Sequence, residues 1–174
     1  GLLKKEDLSG LITDKTQLLA KAYSAFAERS DPHEFTDFMN FCDKQADWLH
    51  DFALFLALRA KFNQAGWHEW PEVYKKRYIP ALREAREELA QEIAVIKFTQ
   101  FVFFTQWMAL KKYANEKNIK MFGDIPIFVA YDSADVWSHP YLFKLDAEQN
   151  MTVVAGVPPD YFSALGQRWG NPHY

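Results

Sequence analysis

Cysteine is almost missing: Cys42 is the single thiol in 174 residues. One cysteine excludes an internal disulfide and any metal site built from several thiolates. Cys42 lies among apolar residues at helical spacing, so a buried, inert thiol is expected rather than a nucleophile. The five histidines are scattered: His50, His68, His139 and His173 stand far apart, and His33 follows a proline. No HExxH or equivalent spacing links them, and no metal site is expected. Glycine-rich phosphate loops are lacking too. Basic residues do not cluster: 20 Lys and Arg against 23 Asp and Glu give a net charge of -3. A phosphate-binding face needs concentrated positive charge, so nucleic acid is not an expected partner. The short runs Lys4-Lys5, Lys75-Lys76-Arg77 and Lys111-Lys112 read as solvated helix surface. Long apolar runs are also lacking. The most apolar stretch, 98–110, is broken by Thr99, Gln100, Thr105 and Gln106 and falls short of the roughly 18 to 20 residues of a membrane span. A buried helix is expected there, and no membrane. No basic-then-apolar leader opens the chain, which fits a cytoplasmic protein. The chain begins Gly1-Leu2-Leu3 without an initiator Met and stops at Asn171-Pro172-His173-Tyr174 among turn formers and rings, so a piece of a longer protein is expected.

What is present reads first as helix. Residues 1–30 form an amphipathic opening. Asp31-Pro32 supplies an N-cap and a first helical position, and Phe35, Phe38, Cys42, Leu49, Phe52, Ala53 and Leu56 then follow one helical face. That helix should reach about Asn63 and end at the glycine of Asn63-Gln64-Ala65-Gly66. In Trp67-His68-Glu69-Trp70-Pro71 two indoles bracket a charged pair. They could wedge helices together or line a groove, and packing is the stronger reading. Beyond Pro80, good helix formers from Leu82 run without a breaker to Lys117, a helix of about 36 residues and 54 Å. Acids lie early in it and lysines late, as the helix dipole favours. Met121-Phe122-Gly123-Asp124-Ile125-Pro126-Ile127-Phe128-Val129 is apolar without alternation, the pattern of a strand covered on both faces. Pro126 cannot donate to a ladder, so the strand is short or irregular. Leu142 to Leu145 and Met151 to Val154 flank Asp146-Ala147-Glu148-Gln149-Asn150 as a hairpin. From Gly156 onward periodicity disappears and a loop of about eighteen residues is expected. The expected class is α/β, mostly helical over residues 1–118, with a truncated strand-and-loop region over 119–174 and one boundary between them.

Asp124 is the most informative residue. A carboxylate inside an apolar strand must face a polar cleft or accept backbone donors, because burying it alone is costly. Near a strand's C-terminal end it would point to the face where barrel enzymes build their sites. Asp132 and Asp135 match no metal motif, and capping of a short helix is the better reading. In Gly156-Val157-Pro158-Pro159-Asp160-Tyr161-Phe162, prolines stiffen a loop that carries an acceptor and two rings. Such a loop suits a ligand with apolar ring faces and hydroxyl edges, and equally suits a plug over a barrel. Gln167, Trp169 and Asn171 extend the mixture of rings and amides.

Four blocks in order resemble consecutive motifs of the amylomaltase family of 4-alpha-glucanotransferases: Gly123-Asp124-Ile125-Pro126-Ile127-Phe128-Val129-Ala130, Asp132-Ser133-Ala134-Asp135-Val136-Trp137, the run from Val154 to Ser163, and Gly166-Gln167-Arg168-Trp169-Gly170-Asn171-Pro172. Trp48 to Phe55, Trp67 to Pro71 and Gln106-Trp107 look similar too. The resemblance implies a partial (β/α)8 barrel with a large helical insertion. It implies transfer of glucosyl or maltooligosyl units between α-1,4-glucans through a covalent enzyme intermediate, with no metal or organic cofactor. Such chemistry needs a nucleophilic carboxylate and an acid/base carboxyl, and the family's lie beyond the position of Tyr174. No catalytic residue is therefore expected in this chain, which should be inactive alone. Asp124 resembles the family's early-strand aspartate that hydrogen-bonds the sugar beside the scissile bond. Asp160, Tyr161 and Phe162 resemble its covering loop, and Gln167 and Trp169 the neighbouring contacts. The implied partners are α-1,4-glucan oligosaccharides and the rest of the barrel, with self-association of this piece. Phe52 departs from a position where tyrosine is common, and His50 and His139 fall where the family varies.

Overall fold

A computed structural model describes the backbone from Lys5 onward, and side chains at residue 10 and from residue 15. Lys4 and the other first residues of the helical opening lie outside the described residues. Seven α-helices and two strands follow among the described residues: α1 (Lys5–Arg29), α2 (Pro32–Lys44), α3 (Ala46–Lys61), α4 (Glu72–Lys75), α5 (Ile79–Glu88), α6 (Ala90–Glu116), α7 (Ala134–Ser138), β1 (Val154–Val157) and β2 (Gln167–Pro172). Single 3-10 turns stand at Trp67–Glu69 and Pro140–Leu142. The chain is thus mostly helical with one small antiparallel sheet. Contacts sort it into two compact units that interleave in sequence. One holds the chain through Ala53 together with Ala90–Lys120, and the other holds Leu54–Leu89 with Met121–Tyr174.

The first unit is a helical assembly with an aromatic interior. Asp31 caps α2 by accepting from the His33 amide at 2.7 Å, and Pro32 fills the first turn, where a missing N–H costs nothing. The expected single helix from Pro32 to Asn63 is instead two, because Gln45 leaves helical geometry (φ -105°, ψ 14°). Phe38, Cys42, Leu49 and Phe98 form the buried cluster, with Phe26, Phe41 and Phe101 packed against it. Phe26 sits 4.9 Å from Phe98 and 5.8 Å from Phe38, within the range where tilted and edge-on ring pairs attract. Phe35, expected on the buried face, is 40% exposed.

The long helix expected from Leu82 to Lys117 is likewise two, broken where Leu89 turns to φ -101°, ψ 23°. The expectation that 98–110 is a buried run is overturned: Phe98 is 7% exposed, but Phe103, Met108 and Leu110 are each more than half exposed. The apolar residues exceed what one helix stripe can bury against α1 and α2, so a second face remains uncovered. By length and composition the 27-residue α6 would also suffice to cross a membrane, so the run is not excluded on length. Asn118, in the left-handed region at φ 61°, ends α6, and the Ile119 amide returns to the Ala114 carbonyl at 2.9 Å.

The second unit is built around indoles. Trp67 and Trp137 are fully buried and Trp70 nearly so. Each finds an acceptor for its N–H: Tyr131 O at 2.7 Å, Tyr74 O at 2.9 Å and Ala65 O at 3.0 Å respectively. The Arg77 guanidinium lies 4.2 Å from the Trp137 ring centroid. The packing reading of Trp67 and Trp70 therefore holds. The turn after α3 is made by Asn63 and Gln64, both at positive φ, with the Gln64 amide donating to Arg59 O at 2.8 Å. Gly66 does not make it. Instead Gly66 leaves room for the His68 ring, which a Cβ there would meet at 2.5 Å.

The strand expected over Met121–Val129 does not form: no ladder is assigned there, and Phe122, Ile125 and Ile127 are 102%, 84% and 74% exposed. A strand buried on both faces needs neighbours on both edges, and none pairs with this segment among the described residues. Of the hairpin expected around Asp146–Asn150 the turn forms with a single bridge, while Leu142 lies in a 3-10 turn and Val154 pairs with Pro172 instead. Asp146 accepts from the Asn150 amide at 2.7 Å, the Asp146 amide donates to Asn150 O at 2.9 Å, and Leu145 bridges Met151. The structureless loop expected from Gly156 is half corrected, since β1 pairs with β2 across the register Gly156↔Arg168 and Val157↔Gln167.

Candidate functional site

The segment that carries Asp124 has no ladder, so side chains hold it. All of these contacts lie within the second unit. The Asn171 amide donates to Val129 O at 2.9 Å, and the Tyr174 hydroxyl donates to Ile127 O at 2.9 Å. Phe128 is received between two rings, edge-on to Trp169 at 6.0 Å and stacked on Tyr174 at 5.9 Å. Further along, Asp132 accepts from Arg59 at 2.6 Å and from the Trp67 amide at 3.2 Å. Asp132 is therefore a tie rather than the cap of α7. That cap is Ser133, whose hydroxyl oxygen accepts from the Val136 amide.

These ties shape an open groove of about 360 Å³ along residues 124–128, walled opposite by Trp169 and Asn171. Asp124 is exposed, and its Oδ1 accepts from the neighbouring Ile125 amide at 2.8 Å. Gln167 presents its amide oxygen to the Trp169 indole N–H at 3.0 Å, which fixes the ring. Trp169 remains 47% exposed, so one side of the indole is open to solvent. A carboxylate at one wall can accept hydrogen bonds from hydroxyl groups while the indole at the other covers a flat apolar surface.

Asp160, Tyr161 and Phe162 lie elsewhere, at the tip between β1 and β2. Asp160 Oδ1 accepts from the Phe162 and Ser163 amides at 2.9 and 2.8 Å, and its own amide donates to Ser163 O. That carboxylate therefore organises its own turn. Tyr161 and Phe162 are 98% and 90% exposed, edge-on to each other at 5.8 Å. The structure brings together Asp124, Trp169 and, behind it, Gln167. Asp160, Tyr161 and Phe162 do not line the groove. Phe128 and Tyr174 were not legible as site residues, because their task is to stack on each other across 46 positions of chain. In the sequence Asn171 reads only as an amide beside rings. Among the described residues no group of three His, Cys, Asp or Glu stands close enough to hold a metal ion.

The sequence blocks that build this groove are those of a carbohydrate-active enzyme class. Residues 2–174 match the family model of the 4-alpha-glucanotransferases, and the chain belongs to that family. It is 51% identical over 160 residues to a 4-alpha-glucanotransferase of Thermus thermophilus, covering 92% of this chain and 32% of that protein. It is 44% identical over 167 residues to one of Clostridium butyricum, covering 95% of this chain and 34% of the relative. Among solved structures, the amylomaltase from Streptococcus agalactiae in complex with acarbose superposes with a TM-score of 0.88 at 38% identity, covering 97% of this chain and 34% of that one. The chain thus spans about a third of the length of the relatives it matches.

Proposed function

We propose that this chain forms part of the glucan-binding cleft of a 4-alpha-glucanotransferase, an enzyme that moves glucosyl or maltooligosyl units between α-1,4-glucans by a retaining double displacement. The observation that carries this reading is the groove with Asp124 on one wall and Trp169 on the other. A glucose unit offers hydroxyl groups at its edge and an apolar face, and the groove offers a partner for each. Asp124 accepts from sugar hydroxyls, and Trp169 covers a ring face, held in place by Gln167. Tyr161 and Phe162, exposed on a loop stiffened by Pro158 and Pro159 with Asp160 holding its turn, offer two further ring faces to a glucan that extends beyond the groove.

Retention through a covalent intermediate needs two carboxyl groups about 5–5.5 Å apart, one as nucleophile and one as acid then base. We assign neither to this chain, and the chain alone binds without turning over. The exposed apolar segment 121–129 supports the further reading that it becomes a strand of a (β/α)8 barrel once neighbouring strands flank it.

Incubation with maltotriose, followed by product chromatography and calorimetry, tests the reading. Saturable binding without glucose or longer oligomers is expected, weakened about tenfold or more, at least 1.4 kcal/mol, by Trp169→Ala or Asp124→Asn. Turnover by this chain would overturn its assignment as non-catalytic. Binding that ignores both substitutions would overturn the groove.

A further inference from the structure

β1 and β2 do not pair residue for residue. Gly156 faces Arg168 and Val154 faces Pro172, so one residue of β1, Ala155, stands opposite three of β2, Trp169, Gly170 and Asn171. Both sides of this bulge are anchored: Ala155 is 3% exposed, and Pro172 is fully buried. The surplus residues have no place in the ladder, and a bulge of this kind bends its strand and re-aims side chains. Two of the three, Trp169 and Asn171, line the groove. Gly170 between them has φ 78°, and a Cβ there would meet nothing within 4 Å. The glycine is therefore needed for the path of the backbone and not for space.

The bulge also carries the tie to the opposite wall. Segment 121–129 joins no ladder among the described residues, so the place of the Asp124 carboxylate depends on side chains that grip its neighbours. Asn171 Nδ2 donates to Val129 O at 2.9 Å, while Gln167, just before the bulge, holds the Trp169 indole. One short stretch of β2 thus fixes the ring and grips the segment facing it. The Tyr174 hydroxyl grips Ile127 O as well, but from beyond the end of β2. A groove whose walls are already in place spares a ligand the cost of ordering them.

We infer that Asn171, presented by a bulge that depends on Gly170, is a positioning residue: through Val129 it keeps the Asp124-bearing segment at a set distance from the Trp169 indole. This role deepens the glucan-cleft reading and rests on it. Position 171 needs a donor, because the group it meets is a carbonyl. Leucine there keeps the size of the side chain and removes the donor. At position 170 the need is conformational, and asparagine visits the left-handed region more readily than alanine.

Maltotriose calorimetry and backbone amide NMR relaxation, both on the full chain, test the role in Asn171→Leu, Gly170→Ala and Gly170→Asn, with Trp169→Ala and Gly166→Ala for comparison. Asn171→Leu and Gly170→Ala are expected to increase fast motion at 127–130 and to weaken maltotriose about tenfold or more. Gly170→Asn should recover much of both losses. Gly166→Ala, where a Cβ would meet Val157 O at 2.5 Å, should lower thermal stability more than Gly170→Ala yet cost less affinity. A merely structural role would make affinity follow stability. Segment 127–130 as rigid in Asn171→Leu as in the unsubstituted chain would overturn the inference, and so would a loosened segment with unchanged affinity. Binding lost in Trp169→Ala but kept in Asn171→Leu would remove this role and leave the cleft standing. No binding by the unsubstituted chain would remove the cleft and this role with it.

Discussion

Gly166 and Gly170 both hold the left-handed backbone region, at φ 72° and 78°, yet they should answer substitution differently. A Cβ on Gly166 would meet Val157 O at 2.5 Å and Pro158 C at 3.0 Å, whereas one on Gly170 meets nothing within 4 Å. The conformational cost of an L-residue there is about 1–2 kcal/mol in either case. Gly166→Ala adds an overlap with backbone that cannot move aside, so it should lower the thermal midpoint distinctly more than Gly170→Ala and speed proteolysis within 158–166. Equal midpoints would mean that the β1–β2 closure is looser than described. Cys42 offers a second probe. Burial pushes its thiol above its ordinary value, with Lys97 pulling the other way. A native pKa raised above the unfolded one favours folding fully below the unfolded value, near 9.0, and that contribution is lost as pH rises through the folded value. Alkylation of Cys42 at neutral pH should therefore be slow in the native protein. Phe98→Ala, which opens the cluster around it at a cost of about 3–5 kcal/mol, should accelerate it many-fold. Fast labelling of the unsubstituted chain would contradict the packing of the first unit.

At the scale of elements, what was legible was local. Asp31 and Pro32 announce α2 because cap and first turn are adjacent in sequence, and replacing Asp31 by alanine should cost about 0.5–2 kcal/mol in a denaturant melt. The turn at Asp146–Asn150 was legible for the same reason. Asp146 holds its carboxyl below the ordinary range, chiefly through the Asn150 amide. A depressed native value stabilises above the unfolded pKa of 3.8 and is lost as pH falls through the native one. Amide exchange at Asn150 should thus rise in acid, and Asp146→Asn should remove that dependence; an acid response surviving the substitution would mean another group controls the turn. What was not legible depends on distant partners. The apolar run at 121–129 reads as a strand, but a strand exists only with a ladder beside it. Conversely, Gln167–Pro172 has no strand pattern and becomes β2 because Val154–Val157 lies alongside. The breaks at Gln45 and Leu89 fall in sequence that favours helix throughout. The same division holds at the groove: Asp124 and Trp169 stood out by their type, whereas Asn171 and Tyr174 act through carbonyls more than 40 residues away.

For the molecule as a whole the uncovered apolar surface is the dominant fact. On α6, Phe103, Trp107, Met108, Leu110 and Tyr113 are exposed, and Phe122, Ile125 and Ile127 are exposed on a segment that joins no ladder among the described residues. Monomeric proteins rarely leave contiguous apolar patches or open strand-forming segments uncovered, because both are templates for association. Relatives about three times this length have additional chain with which to cover such faces, and this chain alone has only other copies of itself. Size-exclusion chromatography with light scattering should therefore report a mass above the 20.3 kDa of one chain, rising with concentration. Phe103→Lys together with Met108→Glu, both on exposed positions of α6, should return it toward the monomer without loss of helicity. A sharp monomer peak for the unsubstituted chain at high concentration would show that these faces are tolerated by water, and would remove the reason for expecting segment 121–129 to seek a partner strand.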